Sequence, residues 1–180
     1  MLRDILKFGV IAGLVLAAGM WITLLAFHGA MSHGAMGMLL GYLTMLVALS
    51  AVFVGIKSHR DMARGGVIRF WPAFGMGLAI SLVASLFYVV AWEIAQATVV
   101  HDFAAQYASS VIAHATAKGA DTAEVARLTA RMEAFKAQYA NPLYRVPMTF
   151  AEIFPVGVLV SLVSAAILRN PRVLSARTRA

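Results

Sequence analysis

The chain contains no cysteine. That absence excludes disulfides, thiolate metal sites and a cysteine nucleophile, and it carries no information about compartment. Charge is scarce as well. Asp, Glu, Lys and Arg make up 13% of the residues, against about 25% in soluble domains. Only eight are acidic, against fifteen basic. No HxxxH or HExxH spacing occurs, so the five histidines form no metal motif. Gly65-Gly66 is not followed by GK[ST], which excludes a P-loop, and no Ser/His/Asp spacing suggests nucleophilic catalysis. The interleaved basic and aromatic residues of a nucleic-acid module are missing too. What the chain has in abundance is apolar residues, 61% of the total, arranged in long blocks. Such blocks mark an integral membrane protein.

A membrane-spanning helix needs about 20 mostly apolar residues. Four stretches qualify, at about 8–27, 36–56, 70–97 and 147–168. Only helices satisfy their own backbone groups in lipid, so an all-α polytopic bundle follows. Positive charge orients it. Arg3, Lys7, Lys57, Arg60, Arg64, Arg69, Arg169, Arg172, Arg177 and Arg179 flank the spans on one side. The five other basic residues are spread through 98–145 among four acids. The positive-inside rule therefore predicts cytoplasmic termini, with anionic lipid as the partner of the basic side. The first span has a basic start, but its apolar run exceeds the 7–15 residues of a signal peptide, so retention is expected.

Residues 98–145 have room for structure outside the membrane. Asp121 and Glu124 have capping-box spacing. Val125, Leu128, Met132, Phe135 and Tyr139 then fall on one helical stripe, and Asn141-Pro142 ends it. Upstream, Phe103, Tyr107 and Val111 repeat every four residues, predicting that the third span continues to about Lys118 before Gly119 turns the chain back. The expectation is an extracytoplasmic helical hairpin, serving either as a connector or as a partner-docking element.

Two carboxylates, Glu93 and Glu152, interrupt apolar runs, and intramembrane acids are candidate functional sites. Counted from Trp71, Glu93 lies near the outer boundary of the core; counted from Pro147, Glu152 lies only about 7–8 Å deep. One reading joins them in a site that holds a proton or a cation. His28, His33 and His101 are expected on the same side, but without ligand spacing they predict no metal. The other reading pairs either acid with Arg145. Pro155 cannot donate to the Ala151 carbonyl and is expected to bend the last helix beside Glu152. Small residues four apart (Gly9/Gly13, Gly37/Gly41, Gly77/Ser81/Ser85, Gly157/Ser161/Ala165) predict close helix contact, within the bundle or between two copies. In the cytoplasmic loop, Gly65-Gly66 reads as a turn, and Arg60-Asp61 as a candidate docking point for a partner.

The segments "GYLTMLVALSAVFVGIKSHRD", "GGVIRFWPAFGMGL" and "YANPLYRVPMTFAEIFPVGVLVSLVSAAIL" resemble a family of small bacterial inner-membrane proteins, domain of unknown function 4199, over about residues 5 to 168. The most specific pieces are Arg60-Asp61 with Gly65-Gly66, and F-x-E-x-x-P-V-G at Phe150, Glu152, Pro155, Val156 and Gly157. The resemblance implies four spans and an envelope location, and transfers no activity or cofactor. The expected function is that of a non-enzymatic accessory or assembly protein of the cell envelope, working with a membrane partner. The alternative is a small homo-oligomeric transporter coupled to protons or cations through Glu93 and Glu152. An intramembrane enzyme acting on lipid carriers ranks last, because no paired acids face a basic phosphate site.

Overall fold

A computed structural model describes residues 1–26 and 35–174. Among them every regular element is helical: α1 (Leu2–Ala26), α2 (Ala35–Ala63), α3 (Phe70–Thr98), α4 (Phe103–Ala117), α5 (Thr122–Tyr139) and α6 (Pro142–Leu168). Four of these hold stretches long and apolar enough to cross a membrane, Leu2–Leu25, Gly41–Ala63, Phe70–Thr98 and Pro142–Leu168. The all-α reading with four long apolar helices is thus correct.

Two boundaries differ from expectation. The last long helix begins at Pro142, five residues before the predicted start. Asn141 Oδ1 accepts the Leu143 N–H at 3.0 Å, and proline suits the first helical position because its missing N–H has no intrahelical role there. The same Asn-Pro pair therefore ends α5 and starts α6. The third helix also stops short of Lys118. Val99 and Val100 N–H both converge on the Ala95 carbonyl, at 2.8 and 2.9 Å, and α4 restarts at Phe103. No glycine or proline forces this break. Ring packing accounts for it: Phe103 sits edge-on to Trp92 at 5.2 Å and against Tyr139 at 5.3 Å.

The four long helices close a ring in the order α1–α2–α6–α3, with α2 touching α3 across the diagonal. Leu49, Val52, Ile56, Met76, Ile80 and Leu168 fill one end. Leu16, Ala84 and Ile153 occupy the middle, and Met20, Leu24, Trp92 and Val100 the other end. Among apolar neighbours, packing and hydrogen bonds hold helices together better than burial of oil. The α3–α6 seam uses both. A Cβ at Gly157 would lie 2.6 Å from Ser81 Cβ, and one at Gly77 would lie 2.8 Å from Ser161 Cβ. Ser161 Oγ donates to the Gly157 carbonyl at 2.7 Å, Ser81 Oγ reaches the same carbonyl at 3.2 Å, and Ser85 Oγ donates to Ser81 O at 2.8 Å. The small-residue rows of α3 and α6 are therefore consumed inside the bundle, as is Gly9, which faces Val83 on α3. Gly41 differs, since a Cβ there would meet nothing within 4 Å among the described residues.

Between the third and fourth long helices, α4 and α5 lie side by side. Gly119, at φ +84, makes the turn that a side chain would strain. Asp121 Oδ1 accepts the Glu124 N–H at 2.6 Å, the predicted cap. The stripe from Val125 to Phe135 is half-buried and Tyr139 is buried. Phe135 meets Tyr107 of α4 at 5.6 Å, so the stripe is spent largely within the pair.

Candidate functional site

The polar residues gather at the two ends of the bundle. At the end that carries α4 and α5, Glu93 from the last turns of α3 meets Arg145 from the first turn of α6. Arg145 Nε donates to Glu93 Oε1 at 2.7 Å and a terminal guanidinium nitrogen to Oε2 at 2.5 Å; the other terminal nitrogen reaches the Tyr139 carbonyl at 3.3 Å. The fork matches the planar guanidinium, which a lysine could not do. The guanidinium also lies 5.7 Å from the centre of the Tyr139 ring. Of the two pairings open to Arg145, the structure selects Glu93.

Tyr139 joins this pair to the aromatic packing. Its hydroxyl oxygen accepts the Trp92 indole N–H at 2.8 Å. Burial pushes the hydroxyl pKa up to about 12, helped by the Glu152 and Glu93 carboxylates and opposed by the Trp92 N–H and Arg145. It therefore keeps its proton at neutral pH and remains a donor. Beside it opens a cleft of about 240 Å³, lined by Gln96, His101, Asp102, Lys136, Tyr139 and Arg145 along with small alanine side chains.

Glu152 stands apart. It lies seven residues along α6 from Arg145, about 10 Å by helical rise. It is exposed and makes no hydrogen bond or ion pair among the described residues. The two acids do not pair directly among the described residues: Glu93 is held by arginine, and Glu152 is exposed, although both charges act on Tyr139. Pro155 is also exposed, and α6 runs through it without a break. Phe150 and Phe154 stack on this stretch at 4.9 Å. His101 is exposed at the cleft, whereas His28 and His33 lie outside the described residues. No group of three or more potential metal ligands occurs among the described residues.

At the opposite end, Arg60 is fully buried. It donates to Asp61 Oδ1 at 2.7 Å, to the Val173 carbonyl at 3.0 Å and to the Leu174 carbonyl at 2.6 Å, with the Leu168 carbonyl at 3.5 Å. Lys57 completes the Asp61 carboxylate at 2.5 Å, and nearby His59 Nδ1 meets Asp4 Oδ2 at 2.9 Å. These contacts correct the expectation that Arg60 presents its charge to a partner: a guanidinium at zero exposure is committed to its own chain, chiefly to carbonyls of the turn that follows α6. Gly65 and Gly66, at φ +61 and +87, supply the turn into α3, and Gly65 is exposed.

Sequence reasoning missed Gln96, Lys136 and the Trp92–Tyr139 bond. Gln96 carried a usable signal, since it is a polar residue one turn beyond Glu93 in the same apolar run. Lys136 and Tyr139 carried none, because only the return of α5 to the bundle brings them to α3.

The fold and these sites define an all-α protein with four helices of membrane-crossing length and a braced polar junction at one end. The chain belongs to the family described as "Protein of unknown function (DUF4199)", whose sequence model matches residues 7–170. The resemblance drawn from Arg60-Asp61, Gly65-Gly66 and F-x-E-x-x-P-V-G is therefore correct. No curated protein and no solved structure matches the chain.

Proposed function

We propose that this protein is a non-enzymatic accessory or assembly factor in the bacterial inner membrane. It crosses four times with both termini in the cytoplasm, and it holds the α4–α5 hairpin at a fixed angle on the outer face for a membrane-protein partner. Exposed Trp71 and the basic residues Arg64 and Arg69 suit the inner headgroup layer. From Trp71 to Trp92 α3 rises about 32 Å, close to the roughly 30 Å core, which puts Glu93 at the outer boundary. The observation that carries the reading is the bracing of the hairpin. A connector needs only enough chain to return. This one is tied to the spans by the Trp92–Tyr139 hydrogen bond, by Arg145, which reaches the Tyr139 carbonyl and lies over its ring, and by the packing of Phe103 on Trp92. Bracing of that kind gives a protruding element a defined direction, which a docking surface requires. With the apolar stripe spent on α4, the contact surface is the polar outer face that includes Arg127 and Arg131, both exposed.

Purification in mild detergent from the native host tests this. A stoichiometric membrane partner is expected, and it is lost when Arg127 and Arg131 are both replaced by Glu. Recovery of the protein alone, across several detergents, would overturn the proposal.

Glu152 favours a second reading, a homo-oligomeric carrier of protons or cations, because it is an outward-facing acid without an ion-pair partner on an apolar helix. Equal ion flux from wild-type, Glu152→Gln and Glu93→Gln proteoliposomes under a pH gradient ends that alternative.

A further inference from the structure

We propose that the cleft at the α3–α4–α5–α6 junction binds a zwitterionic phosphate headgroup of the phosphoethanolamine kind, supplied by the bilayer. The inference rests on the membrane placement argued above. At about 240 Å³ the cleft is smaller than pockets that enclose drug-sized molecules, so it takes a headgroup and leaves the acyl chains outside.

Its lining separates into donors and one acceptor. Gln96 Nε2 is buried with no hydrogen-bond partner among the described residues, and a buried donor of this kind calls for an acceptor. Lys136 Nζ meets both oxygens of Glu133 at 3.0 Å, and its three N–H groups leave one for the cleft. The Tyr139 oxygen accepts from Trp92, so its own O–H is free to donate. His101 adds a ring nitrogen. Together these groups suit phosphate oxygens. Arg145 and Lys136 contribute hydrogen-bond donors but little net charge, because Glu93 and Glu133 already pair with them.

Asp102 is the opposing group. It occupies the N-cap position of α4, yet its side chain makes no capping bond. Its carboxylate is thus open to an ammonium. A plain anion in the cleft would meet the Asp102 charge, and a plain cation would leave the Gln96 amide without an acceptor. A ligand with phosphate and amine at opposite ends satisfies both sides. The cleft opens where α3 ends at Thr98, the level at which such headgroups lie.

Native mass spectrometry of the full chain tests this with short-chain phosphatidylethanolamine, phosphatidylglycerol and soluble phosphoethanolamine as probes. The wild type is expected to retain phosphatidylethanolamine about tenfold better than phosphatidylglycerol. Gln96→Leu and Lys136→Met should each lower that retention about tenfold, on the scale of one lost hydrogen bond to a charged group. Asp102→Asn should erase the preference between the two lipids, lowering phosphatidylethanolamine retention and raising that of phosphatidylglycerol. Gln96→Glu keeps the side-chain shape and places a like charge beside the phosphate, so it should lose binding with helix content intact. Equal retention of both lipids by the wild type overturns the proposal, as does unchanged retention by correctly folded Gln96→Glu. Soluble phosphoethanolamine binding as tightly as the lipid overturns the bilayer source. Failure of the chain to float with carbonate-washed liposomes would instead sink the membrane placement itself.

Discussion

Replacing Arg60 by methionine tests the reading of the buried clamp. Methionine keeps an unbranched stem and removes the fork. The change abolishes two good hydrogen bonds, at 2.6 and 3.0 Å, and one at the distance limit, together with the bond to Asp61. It also frees Leu174, which adopts φ +49, a left-handed conformation costing about 1–2 kcal/mol for a residue with a Cβ. Removing one partner of a buried ion pair costs about 3–5 kcal/mol. Asp61 keeps Lys57 and is 15% exposed, so the lower half of that range is expected. For a chain of this length about 2–4 °C is lost per kcal/mol, which gives a fall of roughly 6–16 °C. Arg60→Lys keeps the charge but cannot reach both carbonyls and the carboxylate in one plane, so it should recover less than half of the loss. Thermal unfolding in one detergent, followed by tryptophan fluorescence, measures each variant. Adding Asp61→Asn to Arg60→Met should cost less than the sum of the two single changes. An Arg60→Met protein within about 1 °C of wild type, or strict additivity with Asp61→Asn, would refute the clamp.

Three further outcomes follow from the packing. Gly157→Val should destabilise by at least the 1–3 kcal/mol typical of overpacking, since its first carbon would already sit 2.6 Å from Ser81; unfolding midpoints check this, and a neutral result contradicts the seam. Glu93→Gln should lower the unfolding midpoint by weakening the fork that joins α3 to α6, and in the Arg145→Met background the same change should add little. Trp92→Phe keeps the ring contact with Phe103 and loses one hydrogen bond, so about 0.5–1.5 kcal/mol should disappear in the same unfolding assay.

The long helices were legible because their apolar runs carry a length criterion that tolerates local irregularity. The start of α5 was legible because Asp121 and Glu124 write their cap within four residues. The start of α6 was misread at Pro147, since the second proline looked like an entry and the first like an ending. Both prolines lie in one helix that Asn141 initiates. The break at Val99–Asp102 leaves no local mark, because it is made by rings from three helices. Depth counting found that Glu93 and Arg145 could meet. It overestimated Glu152, because rise along a helix gives height and says nothing about which way a side chain faces. Arg60 was the clearest failure: a charge beside a loop reads as exposed, and its acceptors lie more than a hundred positions away.

The separation between Arg60 and the carbonyls it serves, 108 to 114 positions, bears on how the chain is made. Proteins are synthesised N-terminus first. α2 is finished long before α6 exists, and for that interval the guanidinium lacks the carbonyls of Leu168, Val173 and Leu174. Closure of the bundle therefore waits for the last helix to arrive. An interrupted chain carries an open seat that a finished one lacks, a difference open to a protease. Nascent chains arrested at increasing lengths should stay cleavable near Arg64 until residues 168–174 have emerged, and become resistant from that point.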